Sequence, residues 1–203
     1  MAKPNERHKD LDVHFFITQK QFLAWLEKNY AQTESIWLKF AKKASGIKSI
    51  NYEQAREAAI MYGWIDGLIN GLDADFYLTK FTPRRPKSLW SQINRGIAES
   101  LIAEGRMQPS GLAQVEAAKA DGRWQAAYAS QANIEVPPEL QKRLDQNPKA
   151  KKFFESITKS NRYAFLYRIH NAKRPETKQR HVEKAMEMLI AEKVYHPKLR
   201  KKK

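Results

Sequence analysis

With 203 residues, a formal net charge of +15 and no cysteine, the chain is long enough for one domain, or for a domain with a smaller appendage, whose core would bury roughly 70% of the unfolded surface. The lack of cysteine excludes thiolate nucleophiles, cysteine-based zinc fingers and disulfides, and no apolar run approaches the roughly 20 residues of a membrane span. The charge is uneven: residues 1–139 carry 18 basic and 16 acidic side chains and residues 140–203 carry 19 and 6, so +13 lies in the second part.

The amino-terminal MAKPNERHKDLDVHF is charged and has no apolar h-region, which reads as a cytoplasmic protein. TQKQFLAWLEKNY then predicts a helix capped by Thr18, with Phe22, Leu23, Trp25 and Leu26 toward a core. SIWLKFAKK alternates Ile36, Leu38 and Phe40 against Trp37 and Lys39, the period of a half-buried strand. NYEQAREAAIMYGW predicts a second helix capped by Asn51 and ending near Gly63, and FYLTKF a second strand. These elements make an α+β unit, with a small antiparallel sheet packed against helices.

After Ser88 the strand signals largely stop. SQINRGIAESLIAEG repeats Ile93, Ile97 and Leu101 at a spacing of four, and PSGLAQVEAAKADG is an alanine-rich helical segment between Pro109 and Gly122. NIEVPPELQKRLDQNPKAKKF holds Pro137, Pro138 and Pro148, so it predicts an extended approach and short helices broken at the prolines. In RYAFLYRIHNAKRPETKQRHVEKAMEML, residues Tyr163, Phe165, Leu166 and Ile169 make a buried stripe, and Pro175 and Glu176 suit the first turn of the next helix. The organisation expected is an α+β domain over 1–130, a mostly helical region over 131–197 and a basic tail over 198–203.

Three stretches carry candidate chemistry. In FTPRRPKSLWSQIN, between a strand and a helix, Arg84, Arg85 and Lys87 lie just ahead of serines and a helix start. Together with Ser88, Ser91 and Asn94 they form a candidate anion cradle, with Trp90 as a stacking surface. The competing reading pairs the arginines with Asp66, Asp73 or Asp75 and leaves Ser88 or Ser91 to cap the helix. In YGWIDG, the glycines around Trp64 and Asp66 suggest a fixed carboxylate: a base if the chain is an enzyme, otherwise a turn or an arginine partner. On the last helix Arg174, Lys178, Arg180, His181 and Lys184 make a candidate contact edge for a polyanion or an acidic protein. The alternative is a solvated face with Glu176 paired to Arg180.

No glycine-rich phosphate loop, H-E-x-x-H pattern or G-x-S-x-G elbow occurs, and the five histidines are scattered. No metal and no cofactor are indicated.

The motifs WLKFAKK, YGWIDG, FTPRRPKSLWSQIN, GLAQVEAAKADGRW, VPPEL and NAKRPETKQRHVEKAMEML, in that order over nearly the whole chain, resemble the bacterial YdeI/OmpD-associated family, also labelled bacteriocin-protection proteins. The resemblance implies a link to survival against bacteriocins or antimicrobial peptides. It implies no chemistry and transfers no catalytic residue. Three functions follow: a non-catalytic cytoplasmic binding protein with an anion site and a partner, a nucleic-acid binder using 140–203, or an enzyme on a phosphorylated or carboxylated small molecule.

Overall fold

The computed structural model describes residues 12–129 and 133–197. The chain divides into two units, one up to Ala127 and the other from Tyr128. The tail expected over 198–203 lies outside the described residues.

The first unit runs β1 (Val13–His14), α1 (Gln19–Asn29), β2 (Ile36–Ala41), α2 (Tyr52–Met61), β3 (Trp64–Gly71), β4 (Phe76–Pro83), α3 (Gln92–Ala103) and α4 (Pro109–Ala120). The helix starts are set by local chemistry. Thr18 and Asn51 each build a capping box, with Gln21 and Gln54 reaching back, a device worth about 1 kcal/mol per cap.

The four strands form one sheet in the order β1-β2-β4-β3. β4 lies antiparallel to both β2 and β3, as expected of a small antiparallel sheet. β1 adds to β2 in parallel, so the sheet is mixed. Ile36, Leu38 and Phe40 of β2 join Phe22, Leu26, Trp64 and Phe81 in one core cluster, while Trp37, expected to alternate against them, is buried too at 8% exposure. Each such side chain contributes about 1.5–3 kcal/mol relative to exposure. Ala55, Ala58 and Ala59 keep α2 close to that cluster.

A second cluster gathers Ile60, Met61, Trp90, Leu101, Val115 and Trp124. It depends on close backbone approach between α2 and α4. Gly63 ends α2 at φ +79°, and a Cβ there would meet the Ser110 carbonyl oxygen at 2.9 Å. Across the same contact, a Cβ on Gly111 would overlap the carbonyl oxygen of Met61.

The second unit is helical: α5 (Pro138–Asp145), α6 (Pro148–Ser156), α7 (Lys159–His170) and α8 (Pro175–Ile190). Pro138, Pro148 and Pro175 each begin a helix, where a missing N–H costs nothing. Leu140, Leu144, Phe165, Ile169, Met186 and Leu189 meet in its core. The chain after α8 is pinned by Asn161, only 6% exposed: its Oδ1 accepts from the His196 N–H at 2.9 Å, and its Nδ2 donates to the His196 carbonyl at 3.1 Å. Nearby, Arg168 lies 3.9 Å from the Tyr195 ring centre.

Candidate functional site

The loop between β4 and α3 holds six of the residues singled out from sequence, with the seventh, Asn94, in the first turn of α3, and it separates them. The Arg84 N–H donates to the Gly63 carbonyl at 2.9 Å. Its side chain is 5% exposed, stacks 3.6 Å over the Trp90 ring and donates through Nη1 to the Leu89 carbonyl at 3.2 Å. Trp90, at 1% exposure, packs edge-on against Trp124.

Ser88 Oγ accepts from the Arg85 N–H at 3.0 Å, while its carbonyl accepts from Arg123 Nη1 at 2.7 Å. Ser91, rather than Ser88, caps α3 by accepting from the Asn94 N–H at 3.1 Å, and Asn94 is buried. Arg85 and Lys87 alone among the loop's cations face solvent, and neither forms an ion pair with the described residues.

Asp66 sits half-buried on β3 and accepts from the Tyr52 hydroxyl at 2.7 Å. Burial, then the hydrogen bond to Asp66, pushes the Tyr52 pKa well above the ordinary phenol range, so this is a neutral phenol donating to a carboxylate. Asp73 is likewise engaged locally, accepting from the Asp75 and Phe76 N–H groups at the β3–β4 turn.

The helical unit contains a groove of about 590 Å³ between α5 and α8. Lys142 and Arg143 line it from α5 and Lys178 from α8, with Pro175 and Val182 as apolar surface. Lys178 Nζ lies 2.6 Å from Glu139 Oε1, and that hydrogen bond is the first cause holding the Glu139 carboxyl below its usual range. Lys142 and Arg143 are exposed and form no ion pair among the described residues.

Of the five residues expected to make a contact edge, Lys178 alone lines this groove. Arg174 is the residue preceding α8, His181 is half-buried, and Lys184 pairs with Glu187 at 2.8 Å. Arg180 is exposed, and the Glu176–Arg180 pair weighed from sequence does not form. Sequence reasoning missed Lys142 and Arg143. Their signal was present in ELQKRL, where Leu140 and Leu144 turn inward and leave the intervening cations outside.

Among the described residues no group of three or more histidine, cysteine or acidic side chains is placed to hold a metal ion, and no helix is long and apolar enough to cross a membrane.

Fold and site together define a two-part chain, an α+β unit followed by a helical unit with a basic groove. Residues 133–191 of that helical unit match the family described as bacteriocin-protection, YdeI or OmpD-associated. Residues 14–114 match a domain family of unknown function, DUF8412. The family resemblance drawn over nearly the whole sequence is therefore carried by the carboxyl-terminal part, while GWIDG and TPRR fall within the other match. No curated protein and no solved structure matches the chain.

Proposed function

We propose that this chain is a non-catalytic cytoplasmic binding protein that takes an acidic segment of a partner protein into the groove between α5 and α8. One observation carries the reading: two unpaired cations, Lys142 and Arg143, and a third, Lys178, share a groove with apolar surface from Pro175 and Val182. The pair between Lys178 and Glu139 is open to solvent, and ion pairs at such positions add little to stability. A carboxylate arriving from a partner can displace Glu139 at little cost. Docked carboxylates would fix register and speed encounter.

A peptide fits better than a nucleic acid. Carboxylates interleave with the cations, including Glu139 in the groove and Glu183 and Glu187 along α8, and they repel a continuous phosphate backbone. An anion site on the loop before α3 would rest on Arg85 and Lys87, since the Arg84 guanidinium is engaged by Trp90 and Leu89. Asp66, held by Tyr52, is assigned no catalytic role. The protective role in the family's description enters through the partner, as resistance exerted from inside the cell.

The test is binding of a labelled peptide rich in Asp, Glu and Leu, against its Asn and Gln counterpart and a single-stranded oligonucleotide. Wild-type protein is expected to prefer the acidic peptide, and a Lys142→Glu/Arg143→Glu variant to lose it. Equal binding of the amide peptide, or tighter and steeply salt-dependent binding of the oligonucleotide, would overturn the reading.

A further inference from the structure

We propose that the helical unit carries a second site, separate from the α5/α8 groove: a pocket for a small carboxylate with a short apolar tail. A cavity of about 240 Å³ lies between the 134–136 segment, α6 and the first turns of α7. Ile134, Val136, Phe154 and Leu166 supply apolar walls, and Lys159 and Arg162 supply charge.

The two cations stand three residues apart on α7 and so share one face. Arg162 is the less usual of them. Its Nε is shielded from solvent and has no protein acceptor, and the side chain forms no ion pair among the described residues. Its outer Nη groups are not shielded in this way and have no partner among the described residues, so a carboxylate can accept from them in bidentate fashion. Lys159, exposed and unpaired at the first position of α7, adds a second donor beside the positive end of the helix.

Tyr163 completes the rim without adding negative charge. Burial first, then Tyr128 and Tyr167, pushes its pKa up to about 12, so the phenol stays neutral. Its hydroxyl lies 3.4 Å from the Ala129 carbonyl oxygen.

The chemistry of the walls narrows the ligand. One fork and one ammonium match a carboxylate, and the apolar walls favour a singly charged head with a tail over a phosphate dianion, whose desolvation costs more. The volume falls below the roughly 300–1,000 Å³ of drug-sized sites, which leaves room for a branched or aromatic tail but not a large one. Such a group is presented equally by a free organic acid or by the carboxyl terminus of a peptide.

The experiment titrates the full chain with benzoate, N-acetylleucine, benzamide and inorganic phosphate, read by calorimetry and backbone amide NMR. Benzoate or N-acetylleucine is expected to bind and to shift the amides of Val136, Tyr163 and Leu166, with benzamide at least about tenfold weaker. Arg162→Gln is expected to weaken binding about tenfold or more, and Lys159→Gln, at an exposed position, a few-fold. Should Arg162→Gln fail to fold, Arg162→Lys keeps the charge and removes the fork, and a comparable loss is expected.

Tighter benzoate assigns a free aromatic acid and tighter N-acetylleucine a peptide terminus; either supports the site. It is overturned by equal binding of benzamide, by preference for phosphate, by unchanged affinity in the Arg162 variants, or by no binding at millimolar ligand. Because the cations tested differ from Lys142 and Arg143, failure here leaves the groove reading standing, and the converse.

Discussion

Replacing Gly111 by alanine is expected to destabilise the α+β unit by about 2 kcal/mol, while the same replacement at Gly96 stabilises it by about 0.5–1 kcal/mol. Both glycines lie within helices, Gly111 in α4 and Gly96 in α3. A Cβ at Gly96 meets nothing within 4 Å, so the reduced entropy of the unfolded chain and the better helix propensity act alone. At Gly111 the new methyl overlaps the Met61 carbonyl oxygen and would lie 2.6 Å from Met107 Sδ and 2.9 Å from the Ile60 carbonyl oxygen.

Met107 can swing aside, but the two carbonyls belong to the end of α2 and cannot. The helices must therefore separate, in a region where overpacking costs about 1–3 kcal/mol. That cost takes its upper end here and exceeds the propensity gain. The assay is urea unfolding followed by tryptophan fluorescence, because Trp25, Trp37, Trp64, Trp90 and Trp124 all lie in the first unit. A Gly111→Ala midpoint at or above that of the wild type would refute the close approach of α4 to α2.

Asn161→Ala should lower the stability of the helical unit by about 1–3 kcal/mol, since it leaves the His196 N–H and carbonyl without their side-chain partner; thermal unfolding by circular dichroism reads the loss, and an unchanged midpoint would show that the segment after α8 is not pinned there. Glu139 has a folded pKa below its ordinary 4.5, chiefly through Lys178. Its contribution is thus present above that value and disappears as pH falls through the folded pKa. Carboxyl NMR titration should place Glu139 below 4.5 in the wild type and return it toward 4.5 in Lys178→Ala; identical titrations would rule out the pair in solution.

Much of the local architecture could be read directly from the chain. Thr18, Asn51 and Ser91 cap the helices for which their side-chain oxygens were noted, and Pro175 opens α8. Capping and proline geometry involve residues within one turn, so their consequences are local. Strands β2 and β4 were legible for the same reason, because period-two alternation needs no partner to be recognised.

Strand β3 was not. WIDGLING has no clean alternation, its register shifts between Asp66 and Ile69, and Leu68 and Ile69 lie exposed on the edge of the sheet. Its strand character comes from hydrogen bonds to β4, which no periodicity encodes. The loop before α3 teaches a related lesson: adjacent arginines read alike, yet Arg84 turns inward onto Trp90 while Arg85 faces water.

Charge counts place the excess of cations after residue 140. Which cations act together is a tertiary matter. Lys178 and Glu139 stand 39 residues apart, and it is the packing of Leu140, Leu144 and Val182 into one core that brings α5 and α8 side by side and makes a groove of their outer edges.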